Sequence, residues 1–217
     1  DRNVNEKSAF NKQVDMLPLF SAGECGEDSY RELIAQELGV DPQSILGMDM
    51  YLYNRTAPSI WGAKEEFISS PKLDDLQCAC TSLKAMIQAE NDRCVTVYAC
   101  FDNEEVGSGT KQGACSTFLR DVLQRINDGL GFDGEDYRRA VAGSFMVSCD
   151  NAHAVHPNHP EKTDAENCTW MNKGIVIKFS ANQKYTTDGI SCAVFAGLCR
   201  DAGVPVQYFA NRSDSVG

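Results

Sequence analysis

No stretch of this chain approaches the roughly 18 consecutive apolar residues that a membrane-spanning helix needs, so no membrane partner is expected. Basic runs are equally scarce. The formal charge is −11, and no Lys/Arg cluster is present to meet a phosphate backbone, which argues against nucleic acid. The opening Asp1-Arg2-Asn3-Val4 has neither the basic nor the apolar region of a secretory signal. No Cys-x-x-Cys occurs among the ten cysteines, and no Gly-x-x-x-x-Gly-Lys-Thr phosphate loop appears. Internal repeats and low-complexity segments are also missing.

What is present is ordinary globular material: 42% hydrophobic and 24% charged residues in a chain long enough for one good core and a small second domain. Cys78, Cys80, Cys94, Cys100, Cys115, Cys149, Cys192 and Cys199 all sit in apolar segments. Free cysteine behaves as a small buried hydrophobe, so reduced core thiols and a cytoplasmic address are expected.

From about residue 60 the pattern alternates strands and helices. Residues 66–73 read as extended, 76–90 as a helix, 95–102 as a buried strand and 115–127 as a helix. A helix over 136–142, a strand over 145–149 and a strand over 175–179 follow. A helix over 186–202, stopped by Gly203 and Pro205, leads to a last strand over 206–210 and a loop at 211–215. Such repeats predict an α/β sheet, mostly parallel and covered on both faces. The first part differs: a helix over 29–38, a short helix opened by Asp41-Pro42, and an alternating strand over 48–53. Turn residues around 55–62 mark a boundary, dividing the chain into 1–57 and 58–217. Asp1 and Gly217 both fall abruptly, so an internal piece of a longer chain is expected.

The chemistry concentrates in Phe101-Asp102-Asn103-Glu104-Glu105-Val106-Gly107-Ser108, with Gln112-Gly113-Ala114 behind it. Asp74, the pair Glu104 and Glu105, and Asp150 fall at the carboxyl ends of three predicted strands, where open α/β sheets place their chemistry. Taken singly, each acid reads as a solvated loop carboxylate. Converging together, they would repel unless a cation lay between them or some stayed protonated. Two divalent metals about 3.5–4 Å apart, with an unligated glutamate as base, would make a bimetallic peptidase. Either Asp74 or its neighbour Asp75 could point inward. All three histidines lie in His153-Ala154-Val155-His156-Pro157-Asn158-His159, where Pro157 and Pro160 break helical ligand spacing; a mononuclear zinc site there is disfavoured. A cysteine nucleophile at Cys149 and an anion nest at Ser108-Gly109 are weaker ideas, Cys149 being expected inside a strand.

Together these residues resemble the aspartyl aminopeptidase/aminopeptidase I family of dinuclear zinc exopeptidases. The resemblance rests on Ile68-Ser69-Ser70-Pro71-Lys72-Leu73-Asp74-Asp75-Leu76, on Phe101 to Ser108 with Gln112-Gly113-Ala114, and on Asp150-Asn151-Ala152-His153-Ala154-Val155-His156-Pro157-Asn158. It continues through Lys173-Gly174-Ile175-Val176-Ile177-Lys178-Phe179 and Asn182-Gln183-Lys184-Tyr185, and Arg2-Asn3-Val4-Asn5 looks like the family's inserted domain. The resemblance implies a three-layer α/β/α zinc-exopeptidase-like sheet, incomplete here, with residues 1–57 as the latter part of an inserted oligomerisation domain. It implies two zinc ions per site, with Asp74 bridging them, Glu105 and Asp150 as further ligands, and Glu104 as general base. His153 would contact substrate, and Lys178 would reach an acidic N-terminal side chain. The implied activity is release of N-terminal Asp or Glu from peptides by a homo-oligomer, dodecameric in the family. The two imidazole ligands of that pattern, and its intersubunit histidine, fall outside these residues. Two alternatives stay open: a catalytically inert fragment, and a related aminopeptidase preferring neutral residues.

Overall fold

The computed structural model describes residues 10–210. The readings at Arg2-Asn3-Val4-Asn5 and at 211–215 lie outside the described residues. The chain divides into two compact units, one ending at Arg55 and the other starting at Thr56.

In the first unit, α1 (Ser29–Leu38) ends where Gly39 adopts the left-handed conformation, its N–H reaching back to the carbonyls of Ala35 and Gln36. A single 3-10 turn, Pro42–Ser44, follows; the Asp41 side chain accepts from Gln43 N–H at 2.8 Å, and Pro42 takes the first position. Residues 48–53 do not form the expected strand: they pair with nothing in a ladder, and Met50, Tyr51, Leu52 and Tyr53 are exposed. Alternation marks a strand only where one face meets a core, and among the described residues none covers this segment.

The second unit opens with an antiparallel hairpin of β1 (Ser59–Trp61) and β2 (Phe67–Ser69), Trp61 stacking on Phe67. The extended run expected over 66–73 therefore stops early, and the chain turns into α2 (Leu73–Gln88). The peptide between Asp74 and Asp75 is cis. Both residues sit off helical angles (φ −87, ψ 109 and φ −120, ψ 24), so the regular helix starts at Leu76. α3 (Phe118–Gly129) and α4 (Gly134–Ala142) follow, the latter opened by a reciprocal Asp133/Asp136 capping box. A 3-10 turn, Pro160–Lys162, precedes β3 (Ile175–Phe179), α5 (Gly189–Asp201) and β4 (Val206–Ala210).

β3 and β4 pair in parallel, Ile175 opposite Val206 through Phe179 opposite Ala210, with α5 as the crossover helix. Asp188 caps α5, its side chain accepting from Ser191 N–H at 2.7 Å while the Ser191 hydroxyl receives the Asp188 N–H. Among the described residues, the buried hydrophobics of this unit are Ile177 on β3 and Cys199 on α5. Gly174 enters β3 at φ +115; a Cβ there would stand 2.1 Å from the Pro205 carbonyl oxygen, so only glycine fits.

The strands expected over 95–102 and 145–149 do not form. Among the described residues each sheet has two strands, and both runs lie outside them. Val95, Val97, Phe145, Met146 and Val147 are exposed. Backbone ladders need a neighbouring strand to accept their bonds, and neither run has one here. The thiols follow the same pattern. All ten cysteines are free, but Cys80, Cys94, Cys100, Cys115 and Cys149 are exposed and only Cys199 is buried, so the expectation of core thiols fails for most of them.

Candidate metal centre

Three carboxylates converge. One oxygen each from Asp74, Asp75 and Asp150 lies within 4.8 Å of the others, the one such group of three His, Cys, Asp or Glu side chains among the described residues. Asp74 and Asp75 arrive from the irregular entry of α2, a helix entry rather than the strand end expected from sequence. Asp150 arrives from the unpaired run that follows α4.

Asn151 ties these segments together. Its side-chain amide donates to the Leu73 carbonyl at 3.0 Å, its Oδ1 accepts from the Cys78 thiol at 3.4 Å, and its backbone carbonyl accepts from Lys178 Nζ at 2.7 Å. Lys178, near the carboxyl end of β3, also donates to Asp150 Oδ2 at 2.5 Å; its side chain is only 16% exposed. The Lys178 ammonium stands 5.7 Å from the Tyr185 ring centroid.

The next stretch of chain is pinned to the β3/β4 pair. The Thr169 hydroxyl, fully buried, donates to the His153 carbonyl, and Val155 N–H donates to the Thr169 carbonyl. Trp170 N–H donates to Gln207 Oε1 on β4, and Gln207 Nε2 returns to the Trp170 carbonyl. His153 is thus fixed through its backbone, three residues beyond Asp150, while the residue itself stays exposed. His156 and His159 lie with ring centroids 5.5 Å apart, and His159 Nδ1 meets Glu161 Oε1 at 3.2 Å; neither joins the carboxylate group.

Glu104 and Glu105 hang in a tight loop. Asp102 N–H donates to Gln112 O, Ser108 N–H to Asn103 O, and Cys115 N–H to Ser108 O, while Asn103 Nδ2 donates to Thr110 Oγ1. Asn103 and Ser108 both take positive φ. Gly113 is required where the loop closes, since a Cβ would stand 2.2 Å from the Ser108 carbonyl oxygen. Glu105 is not in the group of three.

The electrostatics follow from the crowding. Partial desolvation, then the negative charges of Glu105, Asp150, Asp74 and Asp75, push the Glu104 carboxyl above the usual glutamate range. Asp75 is raised as well, by desolvation first and by Asp150 and Asp74 after it, against the Cys78 hydrogen bond and the Lys178 charge. Burial, then the hydrogen bond to Asp75, drives the Cys78 thiol up to about 12, so it is a neutral donor at physiological pH. Three carboxylate oxygens at this separation suit a divalent cation. The sequence pattern does not single out Asn151, and the family resemblance favours Asp74 over Asp75; the signal for both lies in their adjacency to Asp150 and Asp74.

An α/β frame with a carboxylate cluster of this kind is the pattern of a metal-dependent hydrolase. The chain belongs to the M18 family, the aminopeptidase I zinc metalloproteases, whose sequence profile matches residues 1–217. A probable M18 family aminopeptidase 2 of Clostridium acetobutylicum is 47% identical over 220 residues, covering 100% of this chain and 51% of that protein. Aspartyl aminopeptidase 1 of Schizosaccharomyces pombe is 35% identical, covering 99% of this chain and 50% of that protein. Among solved structures, a chain of the Ape4 and Nbr1 complex superimposes with a TM-score of 0.84 at 33% identity, covering 100% of this chain and 46% of that one. The S. cerevisiae mApe1 dodecamer matches with a TM-score of 0.71 at 29% identity, over 84% of this chain and 43% of that one. The α/β class expected from sequence is therefore met, as a partial fold: the chain spans about half the length of the curated relatives it matches.

Proposed function

We propose that the full-length protein is a zinc aminopeptidase that releases N-terminal residues, preferably acidic ones, from peptides. The convergence of Asp74, Asp75 and Asp150 oxygens within 4.8 Å of one another, in a chain of a zinc metalloprotease family, carries this reading. Asp74, Asp150 and Glu105 are the proposed ligands, with Asp75 beside them. Zinc, when bound, polarises the scissile carbonyl and acidifies water. Glu104 then acts as base: it takes one proton from water as the oxygen attacks the carbonyl carbon, and returns it to the amine nitrogen as the C–N bond breaks. The raised proton affinity of Glu104 suits a group that must both accept and release that proton.

Lys178 and His153 are the proposed substrate contacts. Lys178 already serves the Asp150 carboxylate, and an ammonium with three donors can serve a second one on the substrate. An apolar side chain in the same place would leave that donor unmatched. The aspartyl aminopeptidase name of the fission yeast relative supports the acidic preference. The Lys178–Asp150 pair also favours a second reading, in which Lys178 only balances Asp150 and the enzyme prefers neutral residues. Hydrolysis of aspartyl and leucyl chromogenic substrates by the full-length protein, before and after Lys178→Ala, separates the two. A lost aspartyl preference supports the first reading and an unchanged one the second.

A homo-oligomer is proposed from the dodecamer formed by the S. cerevisiae relative, with residues 1–57 contributing to an inserted oligomerisation domain. The division of the chain after Arg55 supports that assignment. Ten unpaired cysteines support a reducing, cytoplasmic compartment.

A further inference from the structure

We infer that Asn151 is the positioning residue of the carboxylate centre, setting the separation of the α2 entry from Asp150 through its side-chain amide. The inference rests on the metal reading of Asp74, Asp75 and Asp150 given above.

One residue here connects three distant parts of the chain. Asn151 Nδ2 reaches the Leu73 carbonyl, immediately ahead of Asp74, across 78 positions of sequence. Its Oδ1 accepts from the Cys78 thiol at 3.4 Å, one helical turn beyond Asp74 and across 73 positions, sharing that hydrogen with Asp75. Its backbone carbonyl holds Lys178 across 27 positions, and that lysine holds Asp150. The amide therefore spends both ends of its side chain on α2 while its own backbone follows Asp150. Asp74 and Asp75 have no regular helical backbone to fix them, since both sit off helical angles. Asp150 has no strand ladder to fix it. Two segments without regular support are brought to one place by the Asn151 side chain. Like charges resist that approach, and the amide's two neutral hydrogen bonds oppose the repulsion without adding charge of their own.

The test is zinc affinity of the full-length protein, by competition with the chromogenic chelator 4-(2-pyridylazo)resorcinol. Asn151→Ala should weaken zinc binding by about 10- to 100-fold, the usual cost of losing an outer partner of metal ligands. Asn151→Asp keeps the side-chain shape and the acceptor for Cys78 but removes the donor to Leu73. Its added negative charge would by itself tighten a cation, so weaker binding isolates geometry from field. Cys78→Ala should show a smaller loss that Cys78→Ser restores, because a hydroxyl can donate to the same Oδ1. The thermal midpoint of the metal-stripped variants is read alongside. A lowered midpoint with unchanged zinc affinity makes Asn151 a structural clip and overturns the inference. So does an Asn151→Asp protein that binds zinc as tightly as wild type or tighter; this variant carries the test alone if Asn151→Ala does not fold. A wild-type protein that takes no zinc overturns the metal reading and this inference together.

Discussion

Two apolar runs of similar composition meet opposite fates in this chain. Residues 175–179 form β3, paired in parallel with β4, and place Ile177 in the interior at 6% exposure. Residues 95–101 carry the same β-branched and aromatic character, yet they pair with nothing in a ladder and leave Val95 72% exposed. The difference is not propensity. β3 has a crossover helix and a partner strand within the following 31 positions, from Phe179 to Ala210, whereas residues 95–101 have no such partner among the described residues. A strand-forming sequence is thus a request for a neighbour, and the ladder appears only where one arrives. The candidate site straddles the contrast: Lys178 stands on the paired strand, while Glu104 and Asp150 follow unpaired runs.

The largest expected effect tests whether the unpaired side carries the chemistry. Glu104→Gln in the full-length protein should lower kcat by roughly 10²–10⁴-fold with zinc content unchanged, a larger loss than Lys178→Met causes with a leucyl substrate. Loss of zinc from Glu104→Gln, read by atomic absorption, would mean that base and ligand have been exchanged. Next comes stability. In the 217-residue chain, Ile177→Ala should cost about 2–5 kcal/mol and Val95→Ala within about 0.5 kcal/mol, by urea unfolding. Equal costs would show that residues 95–101 are buried in solution and would break the comparison.

A smaller contrast lies within the β3–α5–β4 unit itself. Gly174→Ala must place a Cβ against the Pro205 carbonyl at positive φ and should destabilise by more than about 1 kcal/mol. Gly197→Ala, in the middle of α5 with open space around it, should stabilise by about 0.5–1 kcal/mol. Thermal midpoints of opposite sign check the pair. The smallest effect is the pH dependence of the α5 cap. Hydrogen bonds from Ser191 N–H and Oγ hold the Asp188 carboxyl below its ordinary value. A depressed folded-state value means the cap's contribution is complete above the ordinary aspartate range and is lost as pH falls through the depressed value. The midpoint gap between wild type and Asp188→Ala should be present at neutral pH and close under acid; a gap that widens instead would refute the cap assignment.

Legibility followed the range of the interactions. α1, the Asp41-Pro42 turn, β3 and β4 were readable because their caps, breakers and apolar periods lie within a few residues of each element. α3 starts at Phe118 rather than 115 because Cys115 and Ser116 are held by the loop that closes at Gly113. The runs 95–102, 145–149 and 48–53 were misread because a ladder needs a distant partner that local pattern cannot report. For the site, Asp74 and Asp150 were readable as acids flanking apolar segments. Asp75 was not: adjacent carboxylates point differently only according to the backbone angles at a helix entry.

The sequence by itself determined the α/β class, the family and the residue types of the centre, because long motifs in order and short-range caps are local information. Only the tertiary structure decided that Asp75 joins Asp74 and Asp150, that Lys178 lies on Asp150, and that Asn151 binds α2 across 78 positions. The reason is physical. Repulsion among carboxylates and the reach of one amide are functions of distance in space, and no periodicity along the chain encodes that distance.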